Sequence, residues 1–259
     1  MPGLYQFPEG QIIAFALVLL RIIAFVIACP IFGSATVPAP VKILFGLTFS
    51  VILYPTITFS NIDMLKIGDE IFFLVIRETF VGLALGFLMR MFFFAISIAG
   101  EIISVSMGLA SAQIFNPAMG SQSNVIEQFE LTLATLFFLT INGHHMFIQG
   151  LAESFHLIPI AATAVKTQGF ASITQIIQEI LIIGLKISSP VLVAIFVTNM
   201  AMGIIGRAVP QINVLVTSMP ITMLLGIFIL IATTPLFLGE MHGLLNLMTE
   251  RFFQFMKVI

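Results

Sequence analysis

Asn142-Gly143-His144-His145 sets two imidazoles side by side after a turn signal, the first place in this chain where residue type alone suggests chemistry. Adjacent histidines on a helix point about 100° apart and chelate one ion poorly, and no Cys or carboxylate stands three or four residues on to complete a site. The pair is therefore expected to hydrogen-bond at a helix end. The carboxylates within apolar stretches, Glu78 and Glu179, have no catalytic companion, and neither a His-Glu-x-x-His nor a Gly-x-Ser-x-Gly pattern occurs. Cys29 is the only cysteine, which rules out an intrachain disulfide and a thiolate metal site. Val26-Ile-Ala-Cys29 loosely imitates a lipoprotein cleavage site, but no positive charge precedes it in the first ten residues and Arg21 interrupts the apolar run. These residues point away from an enzyme, a metal centre and a cofactor.

A different kind of chemistry, that of a seal, is written between Glu101 and Glu127, where no residue is charged. Residues 107 to 123 are small, flexible and oily at once. Gly108, Pro117 and Gly120 interrupt regular helix, Ser and Gln keep the segment wettable, and Met107, Ile114, Phe115 and Met119 offer soft apolar contacts that can repack. Such a loop suits a movable plug.

The elements that would hold it are almost wholly hydrophobic. Of 259 residues, 59% are hydrophobic and 8% charged, and mean hydropathy is +1.15; soluble domains carry charge on roughly a quarter of their residues. The class is an all-α, multi-helix integral membrane or membrane-assembled protein, with room for about six or seven spans. Apolar runs near 11–30, 43–59, 71–98, 125–141, 146–165, 173–197 and 212–238 read as helices. Pro55, Pro190, Pro220 and Pro235 are expected to break several of them into hairpins. From Met241 to Ile259 apolar and polar residues fall on opposite faces, as in an amphipathic helix lying on a membrane or a partner. The net charge of -2 and the lack of basic clusters give no footprint for nucleic acid.

Arg21, Arg77, Glu78, Arg90, Glu179 and Lys186 lie within or at the shoulders of these apolar runs. A charge near the bilayer centre costs about 2.5–3.5 kcal/mol on the mildest scale. Each must face protein or water, and one chain offers few partners, so the chain reads as one stave of an oligomer. Glu127 and Glu130, three apart on one face, repel unless a positive group approaches; partner contact and plain solvation both remain open for them. Asn199, Gly203 and Arg207 recur at four-residue spacing, Gly203 admitting a close neighbour and Arg207 sitting at the negative end of a helix that Pro210 stops. No Lys or Arg occurs from Met91 to Val165, whereas Arg251 and Lys257 lie near the end, which places the C-terminus in the cytoplasm.

Arg21 with Pro30-Ile-Phe-Gly33, then Gly100-Glu101-Ile-Ile-Ser104 leading to Met107-Gly108, then Asn142-Gly-His-His145, Phe155 with Pro159, and Arg207-Ala-Val-Pro-Gln-Ile-Asn213 together resemble the FliR/SctT family of type III secretion export-gate proteins. The match runs in order over nearly the whole chain, and the Asn-Gly-His-His stretch is similar to flagellar members more than to those of injectisomes. The resemblance implies a non-enzymatic channel subunit in a spiral with FliP and FliQ, with FlhB and FlhA as further partners, passing unfolded flagellar subunits across the bacterial inner membrane at the flagellar basal body. It implies a FliP-like part to about residue 165 and a FliQ-like hairpin from about 166 to 259, part of it on the periplasmic side in contact with lipid. The family's plug loop falls on Met107, Gly108, Ile114, Phe115, Asn116, Pro117, Met119 and Gly120, and assembly roles fall on Arg21, Glu101, Asn199, Gly203, Arg207 and Pro210. A self-contained small-solute transporter, with a site around Pro190, Pro220 and Lys186, is the alternative from another class.

Overall fold

Among the described residues the apolar runs fold as helices, and no strand accompanies them. A computed structural model describes residues 9–34, 37–57, 64–109, 125–160, 168–211 and 213–258. Within these the chain is all-α, in the order α1 (Glu9–Ala28), α2 (Ala39–Leu53) with a 3₁₀ turn at Tyr54–Thr56, α3 (Met64–Ser106), α4 (Val125–Thr140), α5 (Gly143–Leu157), α6 (Gln168–Ala208) and α7 (Val214–Val258). Five helices are long and apolar enough to cross a membrane, or six if α4 and α5 together make one span. The expected plug positions Ile114, Phe115, Asn116, Pro117, Met119 and Gly120 lie outside the described residues.

Two expectations are corrected here. Pro190, Pro220 and Pro235 do not break their helices: all three lie inside α6 and α7, which run unbroken for 41 and 45 residues. At Pro190 the reason is local. The ring removes the N–H that would bond the Lys186 carbonyl, and the Ser189 hydroxyl donates to that carbonyl instead, at 2.8 Å. Likewise the segment from Met241 onward is no separate surface helix but the last part of α7. It has the two faces expected of it, yet Met248, Phe252 and Phe255 are buried inside the protein, and the Phe252 ring meets Phe147 of α5 edge-on at 5.4 Å.

At 1.5 Å per residue, the 43-residue α3, with α6 and α7, spans about 60–68 Å, twice the roughly 30 Å of a hydrocarbon core. The apolar stretch of α7 is only 17% buried within the chain.

The chain divides into two compact units, one of residues 1–91, 142–174 and 248–259, the other of 92–141 and 175–247. In the first, α1 lies close against α3 because Gly82 has no side chain: a Cβ there would stand 2.3 Å from the Arg21 carbonyl oxygen. Leu17, Val18, Ile22 and Phe25 of α1, Leu85 and Met89 of α3, and Phe147 and Phe155 of α5 are buried. In the second, Phe92, Phe93 and Phe138 gather with centroids 5.0–5.6 Å apart. There α6 and α7 run antiparallel, joined by a short turn, with Asn213 accepting the Val216 N–H at the start of α7 (3.4 Å).

Candidate functional site

The entrance to the uncharged loop is built by the end of α3. Gly108 takes φ +81°, its N–H donates to the Val105 carbonyl at 3.0 Å, and the Leu109 N–H reaches back to Ser104 at 3.1 Å. This pair of reversed bonds is the Schellman stop, which needs a residue tolerant of positive φ and is commonly clasped by an apolar contact across it. Leu109 supplies that contact, packing with Ile126, Ile229 and Leu230 against the buried cluster of Ile103, Met107, Val191 and Ile195.

Met107, the last residue before the stop, is fully buried and is held by a helix more than a hundred residues away. The Thr222 hydroxyl donates to its carbonyl at 3.2 Å, sharing its proton with the Ser218 and Met219 carbonyls of α7. Gly226, one turn on, leaves the room in which the Met107 side chain lies; a Cβ there would stand 2.6 Å from Met107 Cγ. Sequence reasoning placed Met107 and Gly108 within the plug loop itself, with Met107 among its repacking contacts, whereas Met107 is fully buried against α7; it missed Thr222 and Gly226, since no spacing rule links positions so distant.

The assembly residues fall into two groups. Arg21 is wholly buried, and its guanidinium spends its donors inside the first unit. Nε donates to Glu78 Oε2 at 2.6 Å, Nη1 to the Ser154 carbonyl at 3.1 Å, and Nη2 to the Ile158 carbonyl at 3.0 Å; the Phe155 ring lies 4.4 Å beneath the charge. Arg21 thus neutralises Glu78 and caps the negative end of α5, a role reinforced by Arg77, whose Nη2 donates to the Pro159 carbonyl at 3.1 Å. The expectation that one chain offers too few partners for its buried charges does not hold for Arg21, which finds its partners within the chain. By contrast Glu101, Asn199, Gly203, Arg207 and Pro210 are exposed, and nothing comes within 4 Å of a Cβ placed on Gly203. The neighbour that Gly203 was expected to admit is not found among the described residues.

His144 and His145 lie with ring centroids 4.2 Å apart and ring planes tilted by 55° at the start of α5. The hydrogen bond expected there is not made: His144 Nδ1 is buried without a partner, and Asn142, in the left-handed conformation, provides no side-chain cap. Among the described residues no group of three or more His, Cys, Asp or Glu is placed to hold a metal. Cys29 is buried beside Met89, its Sγ 3.1 Å from the thioether.

Comparison with known proteins sets this geometry in a family. The family described as bacterial export proteins, family 1, matches residues 12–248. The chain is 34% identical over 240 residues to a flagellar biosynthetic protein FliR of Bacillus subtilis (strain 168), covering 92% of each chain. A protein of the same name from Escherichia coli (strain K12) is 31% identical over 84% of this chain and 83% of its own. One from Aquifex aeolicus (strain VF5) is 30% identical over 88% of both.

Proposed function

The chain belongs to the bacterial export proteins, family 1, and from that membership we propose that it is a core channel subunit of the flagellar type III export gate, passing unfolded flagellar subunits across the inner membrane. The carrying observation is likeness over 92% of both chains to a flagellar biosynthetic protein FliR. In this reading FliP and FliQ are its immediate neighbours and FlhB and FlhA further ones, residues to about 165 form a FliP-like part, and the remainder forms a FliQ-like hairpin. The exposed apolar length of α7 and the exposed stripe of Asn199, Gly203, Arg207 and Pro210 support it, because the described residues leave both uncovered.

The segment from Met107 to Ser123 acts as the seal. An ion stripped of water meets an uncharged constriction, whereas an extended polypeptide with mixed side chains pushes Met and Gly aside. The Schellman stop at Gly108 and the seat of Met107 fix where that segment leaves the wall, so closure depends on a rooted base and a yielding middle.

Two experiments test this. Affinity purification from membranes followed by mass spectrometry should recover FliP and FliQ in fixed proportion to the chain; a chain recovered alone rejects the channel-subunit reading. Deleting Ile114 to Gly120 should leave that complex assembled and make it leak small ions, and unchanged conductance in the assembled mutant rejects the plug.

A further inference from the structure

A cavity of about 220 Å³ opens between α3, α4, α6 and α7 in the second unit, with Ile103, Leu133, Leu230 and Phe237 among its walls. Glu130 of α4 lines it while being only 4% exposed, and its Oε2 is buried without any hydrogen-bond partner. A buried carboxylate oxygen left unpaired is among the costlier defects a fold can hold. One cation is near, but it is engaged: Lys186 Nζ at the rim stands 2.8 Å from each carboxylate oxygen of Glu240.

The remaining polar groups of the cavity lean the same way. The Ser189, Thr233 and Thr234 hydroxyls all donate to carbonyls of their own helices, at 2.8–3.0 Å. Their protons are spent, so the oxygens can only accept. Glu130 and three acceptor-only hydroxyls therefore line a hole whose other walls are mostly apolar. The matching occupant brings donors and positive charge on an apolar stem. A bare metal ion would find too few oxygens to replace its hydration, and a lipid phosphate would meet acceptors with acceptors.

We propose that this cavity receives a lysine or arginine side chain from a neighbouring subunit, whose charge pairs with Glu130. The inference rests on the reading of the chain as one member of an assembly. Seven waters would about fill the space, so a single basic side chain with a water or two is of the right size. The pair would form only on assembly, making Glu130 a recognition residue and not a fold residue.

The test uses the full chain in its membrane complex, with p-benzoylphenylalanine in place of Phe129 at the cavity wall. Irradiation should join position 129 to a peptide of another subunit that contains Lys or Arg. Glu130→Gln should leave the amount of chain in the membrane unchanged while lowering partner recovery about tenfold or more, the scale of a lost charge-assisted bond. Lys186→Met, which frees only the rim, should not do so. Exchanging charges, Glu130→Lys with the identified basic residue changed to Glu, should restore recovery. Adducts confined to lipid, adducts to a peptide without a basic residue, absence of adducts in an assembled complex, or full recovery with Glu130→Gln would each overturn the proposal. If the unaltered chain recovers no partner at all, the assembly reading falls with it; if partners are present, only the pairing of Glu130 falls.

Discussion

Gly226→Ala is the substitution that most directly probes how the loop is rooted. The added Cβ would lie 2.6 Å from Met107 Cγ, 2.8 Å from Sδ and 2.9 Å from Cε, against the roughly 3.5–4.0 Å of comfortable carbon contact. Met107 must retreat by about 1 Å, and with its carbonyl on Thr222 and its side chain fully buried it has little space to do so. Overpacking of this kind costs about 1–3 kcal/mol. Replacing a mid-helix glycine by alanine favours α7 by about 1 kcal/mol, but that gain is present whether Met107 is seated or not. It therefore cancels from the equilibrium between the seated and released loop, which should shift toward release by about 5- to 150-fold. In liposomes carrying the purified complex, ion efflux per complex should rise several-fold while the melting temperature holds or falls slightly, because the helix gain of about 1 kcal/mol offsets part of the clash. Met107→Ala in the same background removes the clash, so the double substitution should leak less than the two single effects combined predict. Efflux equal to the unaltered complex, or strict additivity of the pair, would refute the claim that Met107 is the root; the thioether would then have repacked at no cost.

Three further outcomes follow from the charges and the prolines. Arg21→Met or Glu78→Gln alone leaves a buried ion without its partner and should cost about 3–5 kcal/mol of stability in detergent, while the double substitution costs much less; equal losses in singles and double would show that the pair is not coupled. Arg207→Ala, at an exposed position, should leave the chain's own melting unchanged but lower co-purification of its partners, and normal recovery would count against a role in assembly. Ser189→Ala strips the substitute hydrogen bond from the Lys186 carbonyl beside Pro190 and should destabilise α6 by about 1 kcal/mol in thermal melts, with no change expected only if another donor already serves that carbonyl.

Hydropathy located every described helix, because an apolar run long enough to span is a signal carried by the residues themselves. It misjudged how far they extend. Pro190, Pro220 and Pro235 read as ends in isolation, yet lie inside unbroken helices; at Pro190 the Ser189 hydroxyl satisfies the freed carbonyl, and such compensation is a property of packing. The turn at Gly108 was legible because a positive φ demands a particular residue type. What holds that turn was not: Thr222 and Gly226 are unremarkable within α7, and only folding brings them to Met107. Glu130 was equally opaque, since its spacing from Glu127 speaks of mutual repulsion and says nothing of a hole around one of the two. Glu127 instead accepts a hydrogen bond from Ser97, so the pair divides into one satisfied and one waiting carboxylate.

That division extends to the whole chain and separates charges that build the fold from those left for something else. Arg21 and Glu78 pair with each other at zero exposure, and Arg21 closes a helix end, although Glu78 Oε1 is left buried without a hydrogen-bond partner. Arg90, Glu101 and Arg207 are exposed on helices whose composition is that of a membrane span, where an unaccompanied charge facing lipid is costly. Gly203 sharpens the contrast: it costs α6 about 1 kcal/mol relative to alanine and brings nothing close among the described residues. A cost with no return inside the molecule is consistent with a return outside it, at a surface where another helix comes near enough to need the missing side chain. On the proposed reading the stripe through Asn199, Gly203 and Arg207 serves the assembly, whereas Arg21 spends its hydrogen bonds within the subunit.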